Sequence, residues 1–144
     1  MNVLRLLYEP EDEWHGQLHA SAEAFGFSGR SSAWFGRDDL VEFRRHLGAY
    51  PLLPRPAAIS GGVGVSPGGE PRDVHIRLTI APFDTKGGLL VRVELACEPP
   101  VPPGADCEQR AHLCFPTDYA SLDRFRIALG PMLDGGAEAI LVGI

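Results

Sequence analysis

Hydrophobic and polar residues alternate most regularly between Asp73 and Cys97. Val74, Ile76, Leu78 and Ile80 alternate with His75, Arg77 and Thr79, and Val91, Val93, Leu95 and Cys97 alternate with Arg92, Glu94 and Ala96. A period of two with one apolar face predicts two half-buried antiparallel strands. Between them, Phe83-Asp84-Thr85-Lys86-Gly87-Gly88 carries turn chemistry, including two glycines free to take positive φ.

The same reading extends along the chain. Val3–Tyr8 predicts a first strand, broken at Glu9-Pro10-Glu11-Asp12-Glu13, where proline and packed negative charge oppose a strand interior. From Trp14 to Ala24 the even positions carry Trp14, Leu18, Ala20, Ala22 and Ala24, which predicts a second strand, with an alanine-rich helix as the competing reading. Phe25–Gly29 turns the chain, and Ser31–Phe35 reads as a third, short strand. Asp39-Leu40-Val41-Glu42 has capping-box spacing, and the helix it predicts puts Leu40, Phe43 and Leu47 on one face before Gly48 ends it. Residues 51–72 are rich in proline and glycine and predict an internal loop, with a short strand near Ala57–Ser60. Beyond the central hairpin, a polyproline-like connection leads to a strand over Cys107–Phe115. A helix capped by Thr117 or Asp118 follows, with Leu122, Phe125, Leu129 and Met132 on one face, and the tail Ala137–Gly143 adds an edge strand.

The expected fold is therefore α+β, a single domain over residues 1–144 with a largely antiparallel β-sheet and two amphipathic helices packed on one face. One pattern bears on its origin. Leu40-x-x-Phe43-Arg44-x-x-Leu47 recurs as Leu122-x-x-Phe125-Arg126-x-x-Leu129. Internal duplication produces such a repeat. So do two amphipathic helices packing independently on a sheet, and that simpler origin is the favoured expectation.

Composition adds limits. A 144-residue chain buries roughly 70% of its unfolded surface, so a core forms without staples. Thirteen Lys and Arg against nineteen Asp and Glu give a formal charge of -6, which disfavours nucleic acid and anionic membrane as partners. No apolar run approaches a membrane span, and the short apolar N-terminus lacks the features of a signal peptide. Cys97, Cys107 and Cys114 are odd in number and are expected as reduced thiols, in keeping with a cytoplasmic location.

Candidate chemistry is sparse. His15 and His19 have zinc-helix spacing, but the position of the general-base glutamate is Gly16, and on a strand their Cα atoms stand about 13 Å apart. Cys97, Cys107, His112 and Cys114 do not have knuckle spacing. Gly61-Gly62-Val63-Gly64 lacks the Lys-Ser/Thr of a phosphate loop, and Ser60 and Ser66 lack a nucleophile elbow. No cofactor, metal or catalytic constellation is expected. Trp14 and Trp34 are expected as core anchors. The surface feature with most functional promise is the acidic cluster Glu9, Glu11, Asp12 and Glu13, suited to a basic partner. An alternative is a ligand face made by His75, Arg77, Arg92 and Glu94 on the polar side of the hairpin.

Four stretches together resemble the immunity proteins associated with WapI-type polymorphic toxins. They are Glu11-Asp12-Glu13-Trp14; Phe27-Ser28-Gly29 through Trp34 into Asp39-Leu40-x-x-Phe43; Val93-Glu94-Leu95-Ala96-Cys97-Glu98-Pro99-Pro100; and the closing helix with Leu122-x-x-Phe125. The excursion at 51–72 departs from that plan. The resemblance implies a non-enzymatic cytoplasmic protein that protects its own cell by binding a cognate toxin domain. The acidic charge further suggests that the bound surface imitates nucleic acid in a basic cleft. A small-ligand-binding or enzymatic domain and a homodimeric accessory protein are the other classes compatible with these features.

Overall fold

Two three-stranded meanders, each followed by a helix and one more strand, account for the regular structure of the chain. The computed structural model describes residues 1–52, 55–64, 66–99, 101–105 and 107–144. The first run is β1 (Val3–Pro10), β2 (His15–Ala24), β3 (Phe27–Gly36), α1 (Arg37–Leu47) and β4 (Ala57–Val63). The second is β5 (Asp73–Pro82), β6 (Leu89–Cys97), β7 (Gln109–Thr117), α2 (Tyr119–Leu133) and β8 (Ala139–Val142). All strand pairs are antiparallel, as the alternation predicts, but they form two four-stranded sheets, ordered β3-β2-β1-β8 and β4-β5-β6-β7.

The strand after each helix leaves its own meander and pairs with the first strand of the other, β4 with β5 and β8 with β1. This exchange relates two copies of one unit. Arg44 Nε donates to the Arg126 carbonyl at 2.9 Å, between residues 82 positions apart. Gly48 and Gly130 share that spacing, and each lies under the other copy's arginine. A Cβ on Gly48 would meet Arg126 Cδ at 3.4 Å, and one on Gly130 would meet Arg44 Nη2 at 3.1 Å. Gly29 and Ala111, again equally spaced, face each other, with a Cβ on Gly29 falling 2.9 Å from that of Ala111. Equivalent positions thus meet between the helices and between β3 and β7, which is what a pseudo-two-fold axis requires. Independent amphipathic helices would not place equivalents together at both ends, so duplication is the reading the geometry favours.

A single core joins both copies. Leu4, Leu6 and Leu18 from the first sheet, Ile76, Leu78 and Val93 from the second, and Phe43 and Phe125 from the helices belong to one buried cluster. β2 turns Ala20, Ala22 and Ala24 inward where β6 has larger side chains, and this thin face lies near β7. Gly61 is set under the Phe35 ring, and Gly143 under Phe115.

Several boundaries differ from expectation: β1 runs on through Pro10, β4 to Val63, and β7 spans Gln109–Thr117 rather than the expected Cys107–Phe115. The capping box at Asp39 does not form, because α1 begins at Arg37 with Gly36 as its N-cap; Asp38 and Asp39 lie in the first turn, where the helix dipole favours negative charge. Strand β3 begins at Phe27, since Phe25 and Gly26, both at positive φ, complete the turn alone. The cap of α2 is Asp118, whose side chain accepts from Ser121 N at 2.8 Å.

Gly29→Val inserts bulk where β3 meets β7 and is expected to destabilise the fold by about 1–3 kcal/mol in chemical denaturation. Gly68→Ala, which meets no atom within 4 Å, should leave the midpoint unchanged.

Candidate functional site

The outer face of the first sheet gathers the exposed chemistry of the N-terminal copy. At its end, the β1–β2 turn is shaped by Asp12, whose Oδ1 accepts from Trp14 N at 2.8 Å, His15 N at 2.9 Å and the His15 ring nitrogen Nδ1 at 2.8 Å. The backbone N–H groups of His15 and Trp14 hold its carboxyl below the usual value. Asp84, two residues after Pro82 as Asp12 is after Pro10, does the same job in the β5–β6 turn, accepting from Lys86 N at 2.8 Å and Gly88 N at 2.9 Å. Asp12 is therefore a turn-forming residue within the acidic cluster.

The other three carboxylates are outside that role. Glu9 projects from β1 with Oε1 3.1 Å from His19 Nε2, Glu11 Oε2 stands 4.0 Å from His15 Nε2, and Glu13 is exposed. The tryptophans are not core residues. Trp14 is 68% exposed because it precedes the alternation of β2, and Trp34 is 53% exposed because Ala33 and Phe35 on either side take the inward positions. The His15 and Trp34 rings approach to 6.5 Å between centroids, which ties the turn to the sheet face. Beneath the turn, burial raises the pKa of the Tyr8 phenol against the opposing charge of Arg37, so it stays neutral.

Farther along the same face a hollow of about 440 Å³ opens over Ser21, walled by Arg5 and Arg30 and bordered by Leu7, His19, Ser32 and Glu138. Arg5 Nη1 donates to Glu138 at 3.1 Å. His19 Nδ1 is 2.6 Å from Ser32 Oγ. With Nε2–H donated to Glu9, Nδ1 accepts the Ser32 hydroxyl, giving a carboxylate–imidazole–hydroxyl chain across three strands. Sequence reading missed it because Glu9, His19 and Ser32 come together only through strand register.

The alternative ligand face lies on the second sheet. Arg77 Nη1 donates to Glu94 at 3.0 Å and His112 Nε2 stands 3.4 Å from the same carboxylate. Arg92 and Cys114 complete a hollow of about 190 Å³ with them. His75 is not part of it; it borders a separate hollow of about 60 Å³ with Asp73 and Glu98. Among the described residues no group of three or more His, Cys, Asp or Glu is arranged to hold a metal ion, the three cysteines are free, and no helix is long and apolar enough to cross a membrane.

Comparison with protein-family models, curated proteins and solved structures gives no match.

Folding favours the ionised form of Asp12, so its contribution to the turn is present at neutral pH and is lost as pH falls through its folded-state value, below 3.8. Asp12→Ala should speed amide exchange at Trp14 and His15 near neutral pH, with no change at Lys86 and Gly88. Asp84→Ala should do the reverse, as measured by residue-resolved hydrogen exchange.

Proposed function

We propose that this chain is a non-enzymatic, cytoplasmic binding protein of the immunity type it resembles, neutralising a cognate toxin domain by direct contact. The contact surface is the acidic, tryptophan-bearing end of the first sheet. One observation supports this most: the second copy builds an equivalent aspartate-held turn, one residue longer, and equivalent strands without these residues. Where the first copy carries Glu9, Glu11, Glu13, Trp14 and Trp34, the equivalent positions are Ala81, Phe83, Thr85, Lys86 and Pro116. The fold does not need the carboxylates or the indoles, yet exposes both together. Tryptophan is a preferred interface anchor, and clustered carboxylates steer a basic partner.

The first test is capture of partners from lysate of the source cell, with mass spectrometry as readout. Stoichiometric recovery of a large secreted-type protein through its C-terminal domain is the expected result. Against that domain, Trp14→Ala and Trp34→Ala should each weaken binding by about 2 kcal/mol, on the order of thirtyfold. Glu9, Glu11 and Glu13 changed together to Lys should slow association and lessen its salt dependence. Unchanged affinity in both sets excludes this end of the sheet as the contact.

The Glu9–His19–Ser32 chain favours a second reading, a small-ligand-binding or enzymatic domain in which Ser32 is a nucleophile. A fluorophosphonate probe should then label the folded protein at Ser32, and Ser32→Ala should abolish the labelling. An unlabelled wild-type protein removes the hydrolytic form of that reading.

A further inference from the structure

The hollows of about 440 Å³ and 190 Å³ occupy equivalent places in the two copies. In the first sheet, Arg5, Ser21 and Arg30 stand side by side on β1, β2 and β3. In the second, Arg77, Glu94 and His112 stand side by side on β5, β6 and β7. Each row lies five positions from the one nearest the turn, Pro10–Gly16–Phe35 in one sheet and Pro82–Leu89–Thr117 in the other. The neighbouring lining positions correspond as well, Leu7 with Thr79, His19 with Arg92 and Ser32 with Cys114.

Their central residue differs. In the second sheet the Glu94 carboxylate occupies the middle of the row, accepting from Arg77 at 3.0 Å on one side, with the His112 ring nitrogen 3.4 Å away on the other. In the first sheet that position is Ser21, a short side chain, flanked by two arginines. The space above it measures about 440 Å³, against about 190 Å³ over Glu94.

We infer that the hollow over Ser21 binds a ligand carboxylate between Arg5 and Arg30, in the place that Glu94 fills from within the chain in the second sheet. Guanidinium groups hold carboxylates through paired charge-assisted hydrogen bonds, and the Ser21 hydroxyl can donate a further one. Arg5 engages Glu138 through Nη1, leaving its other N–H groups for the ligand, and among the described residues Arg30 makes no ion pair. Glu9 is turned to His19, and Glu23 lies one outward position farther along β2. The hollow is open on its outer side, which leaves room for the body of an acid beyond a carboxylate seated between the arginines. This site stands independently of the toxin-binding reading, since it is a property of the chain alone.

The test titrates the isotope-labelled full-length chain with succinate and, separately, with an acetylated and amidated Ala-Glu-Ala tripeptide, following the arginine Nε–H signals and the Ser21 amide. Sodium chloride at matched ionic strength is the reference. Saturable shifts at Arg5, Ser21 and Arg30 are expected with at least one probe. Succinate binding identifies a free organic acid as the source, and binding of the tripeptide alone identifies an acidic side chain of a protein. Arg30→Gln, at an exposed position, should weaken binding at least about tenfold. Ser21→Glu should abolish it, because its own carboxylate then occupies the place. Shifts no larger than those in sodium chloride with both probes overturn the inference, as do saturable shifts that persist unchanged in Arg30→Gln.

Discussion

Neither half of this chain can complete a sheet by itself. The strand following each helix is donated to the opposite meander, so the pairings of β4 with β5 and β8 with β1 are also the bonds that join the two copies. That exchange constrains what lies on the axis. Arg44 reaches the Arg126 carbonyl past Gly130, where a Cβ would crowd its guanidinium at 3.1 Å; on the other side Arg126 passes Gly48 and turns its guanidinium to Asp123. The approach of β3 to β7 likewise needs Gly29 opposite Ala111. Small residues at the axis and arginines beside it set how closely the helices and sheets approach, and the core behind them follows from that spacing.

The duplication separates residues that hold the fold from residues that do something else. Shared features include the Leu-x-x-Phe-Arg-x-x-Leu helix face, the proline two residues before the turn aspartate, and the aspartate itself, which binds the turn's backbone N–H groups in both copies. Divergent features lie on the outer faces. One sheet satisfies Arg77 with a carboxylate in the same row, whereas the other pairs Arg5 with a carboxylate from the segment before β8 and leaves the row without one. A purely structural role would have no reason to treat the two sheets differently at that position.

Much of the fold was legible because it is written in local periodicity. Alternation located the central hairpin and β2, and the 3.6-residue spacing of Leu122, Phe125 and Leu129 located α2. What escaped depends on pairing between distant segments. Alternation says that a strand has an inner face, but not which sheet it joins, so two sheets read as one. Trp34 occupies an outward position between Ala33 and Phe35, a phase visible in the sequence but outweighed by the tendency of tryptophan to be buried. Asp39 had the chemistry of a cap, yet a cap must precede the helix, and the extended backbone of Gly36 fixed the start three residues earlier. The chain from Glu9 through His19 to Ser32, and the correspondence of the two hollows, exist only once register is known.

The formal charge of -6 describes the molecule at long range and conceals the sign of its parts. Along the first sheet the carboxylates of the β1–β2 turn and the arginines flanking Ser21 are separated by about five rows, or roughly 17 Å at strand spacing. Between exposed groups this exceeds the physiological Debye length of about 8 Å, so Glu11 and Glu13 do little to neutralise Arg30. The two ends of one face therefore act on different scales. The acidic end governs the approach of a charged partner through its field, while the arginine pair acts only on a group already close enough to accept its hydrogen bonds. A partner recognised by the whole face would have to present positive charge near the tryptophans and a single carboxylate about 17 Å away, a pattern far more selective than net charge alone.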